Sequence, residues 1–342
     1  MTSSQFRYTA DLVRQARIIG TGSYVPTQVL TNHALAARID TSDAWIVART
    51  GIHERRIAAP EEATSDLAFA ASVQALQMAG TSAAELEMVL VATVTPDMQT
   101  PACAVQLAHK LGAKNAFAFD IGAACAGSLF AMSVASQYIA TGAVKKCLVV
   151  GAELLSRITN WEDRGSSILF GDGAGAMVLA PADEADGPGR GLLSLQLYSD
   201  GSAADILCIP AGGSRTPLTA ETLALQHNKV AMRGREVYKF AVTALVQATE
   251  RIVREHNISL QQIQHVVAHQ ANVRILEAIL ERLGIPFEKA CINIDRYGNT
   301  SSASVPLTLD EANRAGKLQP GDFILVMAIG AGMSWGAGLI RW

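Results

Sequence analysis

The sequence predicts an α/β fold of two halves that are related by a pseudo-twofold axis. Apolar, β-branched strands alternate with amphipathic helices, which is typical of parallel sheets covered by helices on both faces. The same order of elements occurs twice, at residues 82–129 and 259–305. With 342 residues, of which 49% are apolar and 17% charged, the chain is long enough for two fused cores.

The two stretches match element by element. Each begins with a strand, at 88–94 and at 265–269, which leads into an amphipathic helix ending in Leu-Gly. A second strand then reaches Asp120 or Asp295, and a glycine-containing turn opens a further helix. Another pair of strands is predicted at 146–151 and 323–328. The polar, glycine- and proline-rich segment 181–190 is the expected seam between the halves.

Charge and cysteine content exclude several classes of protein. Lysine and arginine number 28 against 31 acidic residues, and a net charge of -3 is too balanced for a nucleic-acid-binding protein. The five cysteines are widely spaced and form no C-x-x-C pair, which fits a reduced compartment and disfavours zinc. No apolar run approaches the length of a membrane span, and the amino terminus lacks a signal-peptide core. We therefore expect a cytoplasmic protein without a membrane partner.

Cys125 is the first candidate for chemistry, because it follows a predicted strand at the edge where α/β proteins bind ligands. Small residues surround it, and an apolar helix is predicted at 128–140. A helix amino terminus stabilises a thiolate, so we expect Cys125 to be a nucleophile near neutral pH. A buried structural role is the alternative reading, and it is the one assigned to Cys103, Cys147, Cys208 and Cys291.

Two polar residues follow the matching strands of the second repeat. His269 comes directly after the strand 265–268, and Asn299 occupies nearly the position that Cys125 holds in the first repeat. Pseudo-symmetry would bring these strand ends to one crevice. Cysteine, histidine and asparagine from distant parts of a chain are what a covalent thiol mechanism requires.

Other motifs are weaker. The G-x-S-x-G match at 332–336 has only six residues after it, which is too few for a hydrolase triad. Gly-Thr-Gly at 20–22 lacks the helix and third glycine of a dinucleotide site. The segment 171–176 lacks a P-loop lysine and is expected to be a tight turn. His265 and His269 lie four apart without a third ligand, so no metal is expected.

Six segments together resemble the β-ketoacyl-acyl carrier protein synthase III family of the thiolase superfamily: TSDAWIVARTGI at 41–52, AACAG at 123–127, FGDGAGA at 170–176, HQAN at 269–272, GNTS at 298–301 and SWG at 334–336. The resemblance covers nearly the whole chain and leaves residues 1–16 as an amino-terminal extension. It implies a thiolase-like fold with a layered αβαβα arrangement. The halves would be residues 17–184, with the nucleophile, and 185–342, with the histidine and asparagine.

The resemblance implies a decarboxylating Claisen condensation that initiates fatty acid synthesis. Acyl-CoA would acylate Cys125, and malonyl-acyl carrier protein would lose CO₂ and attack the acyl-cysteine. His269 and Asn299 would donate hydrogen bonds to the enolate, and the backbone N–H groups of Cys125 and Ala331 would form the oxyanion hole. The family usually has glycine at Ala331. No cofactor is implied beyond the coenzyme A thioesters that serve as substrates.

Binding residues are also implied by the resemblance. The coenzyme A site would contain Trp45, Arg49, Arg164 and Arg274, with the indole stacking on adenine and the arginines near the phosphates. Lys239 and Arg274 would dock the acidic carrier protein. Glu281 and Arg282 stand where a basic pair often extends that docking patch.

Thr100 would reach across a homodimer interface to the end of the partner's acyl pocket. Threonine is small, so we expect acyl chains longer than acetyl to be accepted. The alternative is that Thr100 only caps a turn, and that Met98 or Met333 closes the pocket.

Three rival functions share parts of this pattern. The nearest is a homologue in specialised metabolism that uses the same three residues to condense or transfer an acyl group to another acceptor. A catalytically inactive carrier-binding scaffold is disfavoured by the intact Cys125, His269 and Asn299. A hydrolase is disfavoured by the order of its candidate residues.

Overall fold

The structure is a computed structural model that describes residues 14–183 and 189–342. Residues 1–13 of the predicted extension and the predicted boundary between the halves lie outside the described residues. The strands are β1 (Ala16–Tyr24), β2 (Gln28–Thr31), β3 (Glu54–Ile57), β4 (Met88–Ala92), β5 (Phe117–Ile121), β6 (Cys147–Glu153), β7 (Gly173–Pro181), β8 (Gly191–Ser199), β9 (Leu207–Cys208), β10 (Ala231–Met232), β11 (Ile263–Ala268), β12 (Phe323–Gly330) and β13 (Ser334–Arg341). The helices are α1 (Asn32–Ala36), α2 (Asp43–Thr50), α3 (Thr64–Met78), α4 (Cys103–Leu111), α5 (Gly127–Ala140), α6 (Ala220–Ala224), α7 (Gly234–Glu255), α8 (Val273–Leu283), α9 (Ile294–Tyr297) and α10 (Ser304–Arg314).

Two large sheets form the scaffold, and each is mixed. The first has the order β1-β7-β6-β4-β5 and the second the order β11-β12-β13-β8. Only β4 with β5, β4 with β6, and β11 with β12 pair in parallel, so the prediction of all-parallel sheets is wrong for the remaining strands. The physical reason is connectivity: β12 reaches β13 through a short turn, and a tight connection reverses the chain direction.

The elements stack in five layers. Helices α5 and α10 contact strands of both sheets and form the central layer. Helix α3 packs on the outer face of the first sheet together with α4, and α7 covers the second sheet together with α8. Each sheet therefore buries both faces, which explains why strands such as β4, β6 and β12 are apolar almost throughout. The αβαβα arrangement implied by the resemblance is confirmed.

Glycines let backbones of the two halves touch in the central layer. A Cβ atom at Gly151 in β6 would lie 2.1 Å from the carbonyl oxygen of Ser302, and one at Gly175 in β7 would lie 2.3 Å from the nitrogen of Leu307. The glycine-rich segment 171–176 is thus the start of a strand packed under α10. The expected tight turn at this segment is wrong, because its glycines serve close packing.

The second repeat departs from the first before Asp295. No regular strand forms there; a single bridge joins Val266 to Ala290, and Asp295 lies inside α9. The Gln270 side chain takes the place of a strand ladder, since its amide donates to the Cys291 carbonyl and accepts from two backbone N–H groups at 293 and 294, all at 3.0 Å. The predicted second strand at this position is therefore wrong.

Candidate active site

Cys125 lies in a 3-10 turn, Ala124–Ala126, between β5 and α5. Ala124 adopts a left-handed φ of 45°, which turns the chain sharply at the end of the strand. The end of β12 packs directly on this turn, because a Cβ atom at Gly330 would lie only 2.4 Å from the Cys125 nitrogen. The turn is therefore held between α5 and β12, with its N–H groups close to the segment that contains Ala331.

His269 and Asn299 reach the same region from the second half. His269 follows β11, and its N–H donates to the Met327 carbonyl at 2.7 Å. The N–H of Asn299 donates to the Leu169 carbonyl at 2.8 Å, and its side-chain oxygen accepts from the Ser301 N–H at 2.9 Å. This hydrogen bond fixes the orientation of the Asn299 amide, with its oxygen toward Ser301. The amide nitrogen is therefore the atom that can donate to a ligand.

The four predicted catalytic residues, Cys125, His269, Asn299 and Ala331, line one cavity of about 340 Å³. Most of the remaining lining is apolar, and it includes Leu155, Phe170, Leu207, Val237, Ile275 and Met333. Ala331 is not among the residues with positive φ, so alanine at this position imposes no backbone strain. An apolar cavity with a few polar groups at one end is suited to a thioester with an acyl chain.

Burial controls the protonation of this site. It raises the pKa of the Cys125 thiol to about 12, with a smaller contribution from the nearby Glu153 carboxyl, while a hydrogen bond from Ser301 acts in the opposite direction. It lowers the pKa of His269 to about 4. Both groups are neutral near pH 7. Burial thus opposes the thiolate that a helix terminus would stabilise, and a thiolate at Cys125 stays a prediction.

Two further residues at the site escaped the sequence reasoning. Ser301 lines the cavity with a left-handed φ of 50°, and its hydroxyl lies 3.1 Å from Glu153 Oε1. Glu153 is the last residue of β6 and is fully buried. A charged residue that ends an otherwise apolar strand is the signal that could have found it, because strand ends of this sheet face the site.

Three of the four residues predicted to bind coenzyme A, namely Trp45, Arg49 and Arg164, form a second group. The guanidinium carbons of Arg49 and Arg164 lie 4.7 and 4.5 Å from the ring centroid of Trp45. None of these three residues lines the cavity that contains Cys125. Trp45 belongs to the same apolar cluster as the cavity-lining Phe170 and Met232, so a packed wall connects the two groups.

The predicted docking residues Lys239 and Arg274 are exposed and do not line the cavity that contains Cys125; Lys239 lines a separate groove with Glu236 and Trp335. Lys239 follows the cavity-lining Tyr238 in α7, and Arg274 lies in the first turn of α8 beside Asn272. Arg235, in the first turn of α7, is a further exposed cation that the sequence reasoning missed. Within the described part of the chain, none of these three cations forms an ion pair.

Thr100 is exposed in the loop before α4 and does not line the cavity. Of the two alternatives, Met333 is fully buried and lines the cavity, whereas Met98 is 48% exposed and does not. Among the described residues, no group of His, Cys, Asp and Glu side chains could hold a metal ion. No helix in the same residues is long and apolar enough to span a membrane.

Comparisons with known proteins agree with this geometry. Family models described as 3-oxoacyl-[acyl-carrier-protein (ACP)] synthase III and its C-terminal part match residues 119–201 and 253–342. β-Ketoacyl-[acyl-carrier-protein] synthase III of Desulfitobacterium hafniense strain DSM 10664 / DCB-2 is 48% identical over 95% of this chain and 97% of the relative. The same enzyme of Symbiobacterium thermophilum is also 48% identical, over 96% and 99%.

Solved structures give the same result. The structure of 3-oxoacyl-[acyl-carrier-protein] synthase III from Aquifex aeolicus VF5 matches with a TM-score of 0.88 and 41% identity, covering 96% of this chain and 100% of that one. The priming β-ketosynthase of the R1128 polyketide pathway matches with the same TM-score at 35% identity, over 96% of each chain. The thiolase-like fold is confirmed, and the chain belongs to the β-ketoacyl-acyl carrier protein synthase III family of condensing acyltransferases.

Proposed function

We propose that this chain condenses an acyl-CoA primer with malonyl-acyl carrier protein, with loss of CO₂, in the initiation of fatty acid synthesis. The observation that carries the proposal is the meeting of Cys125, His269, Asn299 and Ala331 in one largely apolar cavity. Family relatives that are 48% identical over nearly the whole chain support the same reaction.

In the first half-reaction, Cys125 Sγ attacks the thioester carbonyl of acyl-CoA. A new carbon–sulfur bond forms to the cysteine, the bond to coenzyme A breaks, and the thiol proton ends on the released coenzyme A. The backbone N–H groups of Cys125 and Ala331 stabilise the negative oxygen of the intermediate. Gly330 supports this role, because its missing side chain lets the segment of Ala331 approach the Cys125 turn.

In the second half-reaction, malonyl thioester loses CO₂ and the resulting enolate carbon attacks the acyl-cysteine carbonyl. The enolate arises by carbon–carbon cleavage, so the site needs hydrogen-bond donors instead of a strong base. Asn299 supplies the nitrogen of its side-chain amide, because the oxygen of that amide accepts from the Ser301 N–H. His269 supplies an imidazole whose pKa burial lowers to about 4, with a smaller opposing effect of a hydrogen bond to the Ser301 backbone.

Coenzyme A would bind with adenine at Trp45 and with its phosphates at Arg49, Arg164 and Arg274. In the structure Arg49 and Arg164 lie over the Trp45 indole. The anionic phosphates of coenzyme A would attract both guanidinium groups away from the ring and leave it open to adenine. Lys239 and Arg274, together with Arg235, are exposed cations that an acidic carrier protein could contact. No residue of the described chain needs to hold another cofactor for this chemistry.

We also propose a homodimer formed along β5. This strand is the edge of the first sheet and carries Phe117, which is 45% exposed, stacks on Phe119 and contacts the tilted ring of Tyr138. An unpaired apolar edge is a template for pairing with a second chain. The assembly would be cytoplasmic, and each subunit would consist of halves 17–184 and 185–342 after the extension 1–16.

Intact-mass trapping of the acyl-enzyme tests the assignment of the nucleophile. Incubation with a panel of acyl-CoAs should add one acyl group to the wild type and none to Cys125→Ala. Cys125→Ser should be nearly as poor, because a hydroxyl is far less ionised than a thiol. An adduct that persists in either variant would show that another residue is acylated.

Separate measurement of the two half-reactions tests the donors. His269→Ala and Asn299→Ala should still accept the acyl group but lose condensation by roughly 100-fold or more, if each provides one hydrogen bond to the enolate. Labelled CO₂ release from malonyl-carrier protein reports the second step alone. Loss of acylation with retained decarboxylation would reverse the assigned roles.

A further inference from the structure

Glu153 is a buried carboxyl group that the reaction described above does not use. It ends β6, is fully buried, and forms no ion pair with a described residue. Its Oε2 atom accepts from the Val94 N–H at 3.0 Å and from the hydroxyls of Thr93 and Thr95 at 3.2 and 2.8 Å. One carboxyl oxygen is thereby fully engaged with the loop that follows β4 in the first half.

The other oxygen, Oε1, faces the second half. It lies 3.1 Å from Ser301 Oγ and 2.9 Å from Ser302 Oγ. Ser302 has one hydroxyl hydrogen, and the Ala92 carbonyl competes for it at 2.8 Å. When that hydrogen goes to the carbonyl, Ser302 can bond the carboxyl only as an acceptor, so Oε1 must carry a proton. Burial without a counter-charge also raises the pKa of Glu153.

Ser301 connects this carboxyl to the reacting thiol. Its side chain lines the cavity together with Cys125 and opposes the rise in the pKa of that thiol, and its hydroxyl donates to Glu153 Oε1 at 3.1 Å. With Glu153 neutral, its acid hydrogen can go to Ser302, the Ser302 hydroxyl to the carbonyl of Ala92, and Oε1 can still accept from Ser301. An ionised carboxylate would instead repel the negative charge that develops as the sulfur attacks.

We propose that Glu153 is a positioning residue that remains a neutral acid and, through Ser301 and Ser302, holds the Asn299 loop against Cys125. The inference rests on the proposed role of Cys125 as nucleophile. Other titratable groups are few: His269 faces the same cavity, β4 and β12 carry none, and Tyr138 in α5 lies at the far end of its helix. Asp310 of α10 is bound instead to Thr21 and Ser23 of β1.

The first test replaces the carboxyl by a neutral group of the same shape. In Glu153→Gln the side-chain oxygen can keep the contacts of Oε2 while the amide nitrogen donates to both serines. The rate of Cys125 alkylation by iodoacetamide, followed by peptide mass between about pH 7 and pH 10, reports the thiolate fraction. We expect rates equal to wild type at each pH. If Glu153 were ionised, Glu153→Gln would remove a negative charge and lower the pKa of the Cys125 thiol. The alkylation rate would then rise about tenfold for each unit of that decrease, and this result would overturn the proposal.

The second test removes the connection. Glu153→Ala should lower kcat of condensation about 10- to 100-fold with little change in KM for acyl-CoA, because the Asn299 loop loses its support. Glu153→Gln should restore kcat. Ser301→Ala, which leaves the carboxyl in place, should show the same loss even if Glu153→Ala does not fold. Equal activity of the alanine variants and wild type, or equal impairment of Glu153→Gln and Glu153→Ala, would refute the positioning role.

Asp172→Asn is the matched control. Asp172 is also a fully buried carboxyl, but it accepts from Ala58 and Ser156 and does not line the cavity. The Asp172→Asn substitution should change the free energy of unfolding without changing the alkylation rate of Cys125. The alkylation assay needs no acyl transfer, so it remains readable if the proposed condensation itself proves wrong.

Discussion

At the scale of single residues, desolvation decides which groups carry charge. The Cys125 thiol and the His269 imidazole are both neutral near pH 7, since burial moves their pKa values to about 12 and about 4. A neutral imidazole can donate one hydrogen bond to an enolate oxygen without a proton being transferred. The raised pKa of the Cys125 thiol keeps the thiolate a minor species before substrate binds.

The same burial makes folding sensitive to acid. In the unfolded chain His269 takes up a proton near its ordinary pKa of 6.5, whereas the folded protein keeps it neutral down to about pH 4. The unfolded state therefore binds more protons in this window, and the free energy of unfolding must fall as the pH is lowered through it. The difference in pKa corresponds to about 3 kcal/mol at most.

Urea unfolding of the wild type and of His269→Gln, between about pH 7 and pH 4, measures this contribution. The wild type should lose more stability than the variant as the pH falls. His265→Gln is the control, because His265 is only partly buried and contacts Asp322 at 3.3 Å. Parallel pH profiles for wild type and His269→Gln would contradict the assigned protonation state.

At the scale of elements, the site depends on backbones that meet without side chains between them. A methyl group at Gly330 would lie 2.4 Å from the Cys125 nitrogen and 3.0 Å from the Ala124 Cβ. Gly330→Ala should therefore displace the Cys125 turn, with a loss of about 1–3 kcal/mol of stability and slower acylation. Gly213→Ala is the control, since no atom lies within 4 Å of its added methyl. Acylation and stability equal to wild type in Gly330→Ala would refute this reading of the turn.

The elements also show how far sequence reasoning reached. Strands β4, β6, β11 and β12 were predicted within a few residues, because apolar runs bounded by polar turns are a strong local signal. The missing strand before Asp295 was not predictable, because a buried side chain, Gln270, replaces its ladder, and that contact joins distant parts of the chain. Pairing direction was missed for the same reason: it depends on connections, and periodicity does not report them.

At the scale of the molecule, the site is assembled from both halves. Cys125 and Glu153 come from the first sheet and its loops, while His269, Asn299 and Ala331 come from the second. The strand ends before Cys125 and His269 made these two candidates predictable from the sequence, whereas the strand expected before Asn299 is absent. Their protonation was not predictable, since it depends on how tightly the two halves close around them.

The dimer proposed along β5 leads to a prediction about chain length. Thr100 lies in the loop before α4, a helix that packs beside β5, so its exposed side chain is near the proposed interface. We expect acylation rates to rise or hold steady from acetyl- to octanoyl-CoA, with each buried methylene contributing about 0.8 kcal/mol at most. Thr100→Phe should selectively remove the longer substrates, because a phenyl ring would fill the end of the partner's pocket. The measurement is the acylation rate of each variant with each acyl-CoA of the series, and sedimentation tests whether the protein is a dimer.

Met333→Ala is the matched comparison, since Met333 lines the cavity within one chain. If Thr100→Phe leaves the profile unchanged while Met333→Ala extends it, the pocket is closed from within the subunit, and the interface does not set chain length.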